Sequence, residues 1–213
     1  MPNQNYKKSL YSGDNALGAF HIANDYASYE AARSAFFVLT IPKGQFANLR
    51  KPTDKSLDDA SAALLTEDKA AEVFRLNVTK TSVPQFSVGV EQYRRGNDVV
   101  KFATVPEWEE GTLEVDDVVG VNTKDILISW LYLAYNPHTR MGGRMKDYKK
   151  KATLQEYTQD YELVREWELD GVFLSKVTDS EFDRENDSKR KVSCTFQYDR
   201  AVLTEVNYGA NFK

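Results

Sequence analysis

Between Leu163 and Asp170 the chain alternates strictly. Leu163, Arg165, Trp167 and Leu169 fall on one side of an extended backbone, and Val164, Glu166, Glu168 and Asp170 on the other. A period of two with carboxylates on one side and large apolar groups on the other marks a strand with one wet and one covered face. The surrounding stretch, Asp147 to Val177, reads DYKKKATLQEYTQDYELVREWELDGVFLSKV. It predicts a basic entry, a strand, a short acidic turn, a second strand, and a step at Gly171 into a third. A one-residue slip would swap the two faces, so such a unit commits its neighbours to one register.

Comparable patterns recur along the chain. In AFFVLTIP, Phe37, Leu39 and Ile41 alternate with Phe36, Val38 and Thr40, which predicts a first strand covered on both sides and stopped by Pro42. Phe74, Leu76 and Val78 against Arg75, Asn77 and Thr79 predict a second strand from Val73, ended by Pro84. Phe86 to Val105 reads as a hairpin with its turn at Arg94-Arg95-Gly96-Asn97. Gly111 to Val118 alternates again, and in the last strand Val192, Cys194, Phe196 and Tyr198 face inward.

One convincing long helix is expected at about 123–135. Asn122 or Thr123 caps it, Asp125 suits its first turn, Ile126 and Trp130 share a face, and Asn136-Pro137 ends it. Residues 43–72 read as a partly helical surface insertion, with Ser56 as a cap three residues before Asp59. Asp25 to Arg33 suits a short helix inside an otherwise polar arm. Gly142-Gly143 reads as a linker in a flexible basic loop, and 178–191 as a charged loop. The expected organisation is an N-terminal arm (1–34), a β domain (35–205) carrying the 43–72 insertion, and a C-terminal tail (206–213). The fold class is mainly β: an antiparallel β-barrel or sandwich with one packed α-helix.

Composition narrows the function. The chain has 213 residues and a net charge of −4, which argues against a nucleic-acid-binding surface. The run Lys146, Lys149, Lys150, Lys151 reads as a solvated loop before a strand. No apolar run approaches membrane-spanning length, so no membrane partner is expected, and MPNQNYKKSL lacks the apolar core of a secretory signal. A single cysteine, Cys194, excludes an intrachain disulfide and reads as a small buried hydrophobe. His21 and His138 have no partner at metal-ligand spacing. The acids Glu107, Glu109 and Glu110, Asp116 with Asp117, and Glu166 with Glu168 form stripes rather than a facing pair. No catalytic, cofactor-binding or metal residues are assigned, and an enzyme is not expected. The hairpin tip, with two adjacent arginines on an acidic chain, suits either a plain solvated turn or an intermolecular contact.

Five blocks in order resemble the inner tail tube protein of contractile-tailed bacteriophages: ARSAFFVLTIP, FRLNVTKTSVP, the helix containing Trp130, Asp147 to Val177, and KVSCTFQYDRAVL. Phe173-Leu174 stands where that family usually has Trp-Pro. The resemblance implies a β-barrel subunit forming hexameric rings that stack into a hollow tube inside a contractile sheath. Its partners would be itself, the tail sheath protein, and baseplate or tube-initiator and terminator proteins, with DNA passing through unbound. The location would be the virion tail, after assembly in the host cytoplasm. The family's inter-ring hairpin would fall on Phe86 to Val105, placing Tyr93, Arg94, Arg95, Gly96 and Asn97 at a contact. A bore that passes DNA suits neutral or acidic faces, so Glu166 and Glu168, or Ser193 and Thr195, are candidate lumen residues; the sheath side remains open for the same faces. The inner tube of a phage-derived injection system with protein cargo shares the fold, and a soluble β-barrel ligand-binding module is the reading from another class.

Overall fold

The computed structural model describes residues 34–47, 49, 67–118, 123–158, 161–180 and 189–206. The N-terminal arm, the Ser56 helix, Asn122, Asp160 and the 207–213 tail lie outside the described residues.

The alternating stretch is the start of one strand, β9 (Leu163–Asp179), which runs through Gly171 without a break. Leu169 is buried before the glycine, and Val172 and Leu174 after it, so the inward parity changes there. Gly171 makes the change with φ +72, and a Cβ at this position would lie 2.1 Å from the Asp199 carboxylate. The expected step into a third strand is therefore a bend within one strand.

Two strands follow β9 along a single edge, β10 (Lys191–Gln197) and β11 (Arg200–Val206). Their pairing runs antiparallel from Val192 opposite Asp179 to Val206 opposite Arg165, and only Tyr198 and Asp199 separate them. On the other edge, the first half of β9 takes β8 (Lys150–Tyr157), which takes β1 (Phe37–Thr40). Beyond β10 come β5 (Gly111–Asp116) and β2 (Val78–Thr81). The sheet order is thus β1-β8-β9-β10-β5-β2, all antiparallel, with β11 on β9. Bent at Gly171, this sheet wraps around one core built from the alternating residues Leu39, Leu154, Leu169, Leu113, Val115, Val192, Cys194 and Phe196. The architecture is the mainly antiparallel β fold that the alternation predicts.

Helix α2 (Thr123–Ala134) packs against β9 and buries Ile126, Leu127 and Trp130, with Asp125 in its first turn. Helix α1 (Glu67–Asn77) overturns the strand expected from Val73. Alternation at Phe74, Leu76 and Val78 coexists with a helical spacing at Ala70, Val73 and Phe74, and burial follows the helical one: Phe74 is 0% exposed and Leu76 63%. Only Val78–Thr81 is extended. The ends of the 43–72 segment enter the core, since Phe46 and Leu49 are buried along with Ala70. Phe46 stacks on Phe74 at 5.3 Å, and Trp130 meets both rings edge-on at 5.6 Å. The Trp130 indole N–H donates to the Tyr148 carbonyl at 2.8 Å.

Gly142-Gly143 is not a slack linker. Two short strands, β6 (Tyr135–Asn136) and β7 (Met141–Gly142), form a ribbon after α2. Gly143 N–H donates to the Ala134 carbonyl at 2.9 Å, and a Cβ on Gly143 would overlap the Leu133 carbonyl. A four-residue helix, α3 (Met145–Tyr148), leads into β8.

The helical assignment of α1 has a direct test by urea unfolding. Phe74→Ala is expected to cost about 3–5 kcal/mol, whereas Leu76→Ala should stay within about 0.5 kcal/mol. Equal losses would restore the strand.

Candidate assembly surfaces

The predicted hairpin is present and longer than expected, extending to Trp108 rather than Val105. Among the described residues, strands β3 (Phe86–Arg95) and β4 (Asp98–Trp108) pair only with each other. Arg95 sits opposite Asp98, so Gly96 and Asn97 form a two-residue turn, with Gly96 at φ +66. Tyr93, Arg94, Arg95, Gly96 and Asn97 all lie together at this exposed tip.

The hairpin has almost no cover. Every residue of β3 and all of β4 except Trp108 is exposed, including Phe86, Val90, Tyr93, Phe102 and, at 79%, Val105. Cross-strand register places Phe86, Val88, Val90, Ala103, Pro106 and Trp108 on one face. Two-stranded ribbons are marginal alone in water, so this one depends on its root. The root is well made. Phe86, Trp108, Tyr198 and Phe196 follow one another at ring-centroid spacings of 5.0, 5.8 and 6.0 Å. The Tyr198 hydroxyl accepts from Gln85 N–H at 3.0 Å and lies 3.1 Å from the Gln85 carbonyl. Glu109 N–H donates to that same carbonyl at 3.0 Å. Trp108 and Tyr198 were not singled out by periodicity as root residues; the one signal available was an aromatic inside the acidic run PEWEEG.

Glu166 and Glu168 share the outer face of β9, as the period of two requires, and Asp170 continues their row. Glu168 and Asp170 in this row are ion-paired, and Glu166 is hydrogen-bonded by neutral groups. The Gln155 amide donates to Glu166 at 2.6 Å, and the Thr204 hydroxyl reaches the Glu166 carbonyl at 3.2 Å. Lys151 lies 3.6 Å from Glu168 and 3.3 Å from Asp170, and Arg200 lies 2.8 Å from Asp170. The Arg200 hydrogen bond, helped by Lys151, holds the Asp170 carboxyl below the usual carboxylate range. Ser193 and Thr195 sit on β10, beyond the bend, with the Ser175 hydroxyl donating to the Thr195 carbonyl at 3.2 Å.

The basic run is only partly solvated: Lys146 and Lys151 are exposed, whereas Lys149 and Lys150 are drawn onto the fold. Lys149 bonds Asp199 at 2.7 Å. Lys150 is 5% exposed, donates to the Asp147 carbonyl at 2.8 Å and lies over the Phe46 ring at 5.9 Å. Burial lowers its pKa. An aliphatic stem covering an aromatic explains why a lysine occupies an inward position of β8.

Among the described residues, no three His, Cys, Asp or Glu side chains are grouped to hold a metal ion. His138 N–H donates to the Asn136 side chain at 2.8 Å and its ring meets Tyr132 edge-on, a turn arrangement rather than a ligand set. Cys194 is buried in the core, and burial pushes its thiol up to about 12. No helix among the described residues is long and apolar enough to cross a membrane.

No family model and no curated protein matches the chain. Solved structures do. A chain of the sheath–tube complex of an extracellular contractile injection system (PVC, extended state) aligns over 86% of this chain and 99% of its own length, at 16% identity and a TM-score of 0.58. A chain of the tube-terminating cap of the anti-feeding prophage covers 82% and 91%, at 14% identity and 0.57. One from the baseplate of the anti-feeding prophage covers 82% and 96%, at 10% identity and 0.56. The fold is therefore one found in components of contractile machines.

The buried thiol yields a prediction. At pH 8 Cys194 should not react with a disulfide reagent until the protein is unfolded. The unfolded thiol ionises near 9.0 and the folded one near 12. The unfolded state thus loses its proton first, and stability is expected to fall as pH rises from 9 towards 12. That slope should be shallower in Cys194→Ala; a native thiol that reacts at pH 8 would overturn the burial.

Proposed function

We propose that this chain is a structural subunit that assembles with copies of itself into the inner tube of a contractile machine. The observation that carries the proposal is the hairpin: an exposed, apolar two-stranded ribbon, rooted rigidly in a fold shared with components of contractile injection systems. A soluble ligand-binding module has no use for such an element, and burial in an assembly removes the liability it presents.

In the assembled form, copies form hexameric rings stacked into a tube, with Tyr93, Arg94, Arg95, Gly96 and Asn97 at an inter-ring contact. The row of Glu166 and Glu168 lines the lumen, because an acidic wall repels phosphates, while the Lys151 pairing of Glu168 and the Gln155 hydrogen bond to Glu166 temper its hold on basic peptides. The partners are the sheath around the tube, a baseplate or initiator at one end and a terminator at the other. Two machines use such a tube. In a phage tail it sits in the virion and conducts the genome, as the resemblance in the five sequence blocks implies. In an injection system its cargo is protein, and the likeness to PVC and anti-feeding prophage components favours that second reading.

Negative-stain microscopy of the purified chain tests the assembly. Rings or hollow tubes are expected. A monodisperse monomer that never assembles, even with a tube-initiating partner present, would overturn it. In a map of the tube, Glu166 and Glu168 on the outer wall would remove the lumen assignment.

A further inference from the structure

Unpaired charge is not peculiar to the hairpin, since exposed Arg75, Arg140, Arg144, Lys146 and Lys176 also form no ion pair among the described residues; the hairpin differs in grouping its unpaired charges at its two ends. Lys80, Lys124, Lys149, Lys151, Arg165, Arg190, Lys191 and Arg200 each lie within salt-bridge distance of a carboxylate. At the hairpin tip, Arg94 and Arg95 are exposed and in no ion pair among the described residues, with Lys101 close behind them opposite Gln92; Asp98, opposite Arg95, and Glu91 offset part of this charge, so the tip keeps a basic excess of three side chains over two. At the hairpin base, Glu107, Glu109 and Glu110 are exposed within four residues and likewise form no ion pair among the described residues. The one polar contact at that cluster's side chains is the Gln197 amide on Glu110 at 3.2 Å.

The two clusters do not compensate each other within one chain. At about 3.3 Å per residue, the ten residues of β3 separate tip from base by about 30 Å. That is several times the roughly 10 Å over which salt screens exposed charges at 0.1 M. The tip keeps a basic excess and the base an acidic cluster, and an opposite charge from outside relieves each. The hairpin is therefore a fixed dipole, held in one direction by the Trp108–Tyr198 root, with apolar residues Val88, Val90 and Phe102 exposed between its poles.

We propose that the occupant of this surface is a second copy of the chain, with the basic tip of one hairpin docked on the acidic Glu107–Glu110 base of the next. Resting on the tube reading, the proposal adds the receiving surface that the reading leaves open. Tip and base are different patches, so the contact is heterologous: every docked pair leaves one free tip and one free base, and the contact propagates as an open filament rather than closing as a dimer. Complementary poles also set polarity, since tip-to-tip and base-to-base encounters are repulsive.

Charge swapping tests this with the full chain. Arg94→Glu with Arg95→Glu, and separately Glu107→Lys, Glu109→Lys and Glu110→Lys, should each leave rings visible by negative stain. Each should shorten tubes and raise the protein concentration needed for stacking by roughly tenfold or more. The combined variant, with both poles reversed, should restore stacking. Neutral variants, Arg94→Gln with Arg95→Gln and the three Glu→Gln changes, cover the case in which a reversed pole fails to fold, and should show the same direction with smaller size. If wild type forms neither rings nor tubes, the tube reading itself fails. If wild type stacks but the acidic-base variants stack equally well, or the combined variant does not recover, the tip docks elsewhere and this proposal is overturned.

Discussion

The bend at Gly171 is the feature on which the other parts of the structure depend. It reverses which side chains of β9 point inward, so one long strand serves the inside of the sheet on both sides of the corner. The edge partner must make the same turn, and does so at Tyr198 and Asp199, where Asp199 N–H still reaches the Asp170 carbonyl at 3.0 Å. Turning sends Tyr198 in and Asp199 out. Tyr198 then holds Gln85 and packs on Trp108, which fixes the root of the hairpin. Asp199 takes Lys149, while Asp170 on the facing strand takes Arg200 and Lys151. Core closure, hairpin direction and the polar outer face all follow from one left-handed glycine.

Legibility in the sequence tracked how local the deciding physics was. Strands β5, β8, β9 and β10 were readable because alternation alone decides which side is buried. The same held for the Trp130 helix and the Gly96-Asn97 turn. Helix α1 was not readable by alternation, because Phe74, Leu76 and Val78 satisfy a period of two while Ala70, Val73 and Phe74 satisfy a helix. The choice fell to Trp130 and Phe46, distant in sequence, which accept Phe74 but leave Leu76 outside. Lys150 was hidden for a related reason: its charge says solvent, and only the Phe46 ring and the Asp147 carbonyl make an inward position tolerable.

Of the candidate surfaces, position was legible and environment was not. Period two put Glu166 and Glu168 on one face, and the turn chemistry put Arg94 and Arg95 at a tip. Neither pattern says which charges meet a partner within the chain, because Lys151, Arg200 and Gln155 reach their acids across strands from other parts of the sequence. The hairpin's lack of cover was equally invisible. Alternation of apolar and polar groups looks the same whether the apolar side faces a core or faces another molecule.

The contrast between compensated and uncompensated charge separates two kinds of surface on one subunit. The acidic row on β9 is hydrogen-bonded or ion-paired within the chain, which leaves that face with little electrostatic demand for an outside partner. The hairpin is the reverse, with both poles unpaired and apolar residues exposed between them. Pairing those poles inside one chain would stabilise the free subunit and remove its reason to add another. Leaving them open costs the free chain some repulsion, which the proposed tip-to-base contact would return. Under the proposed tip-to-base contact, the distribution of unpaired charge, more than the fold, would set growth along one axis and in one direction.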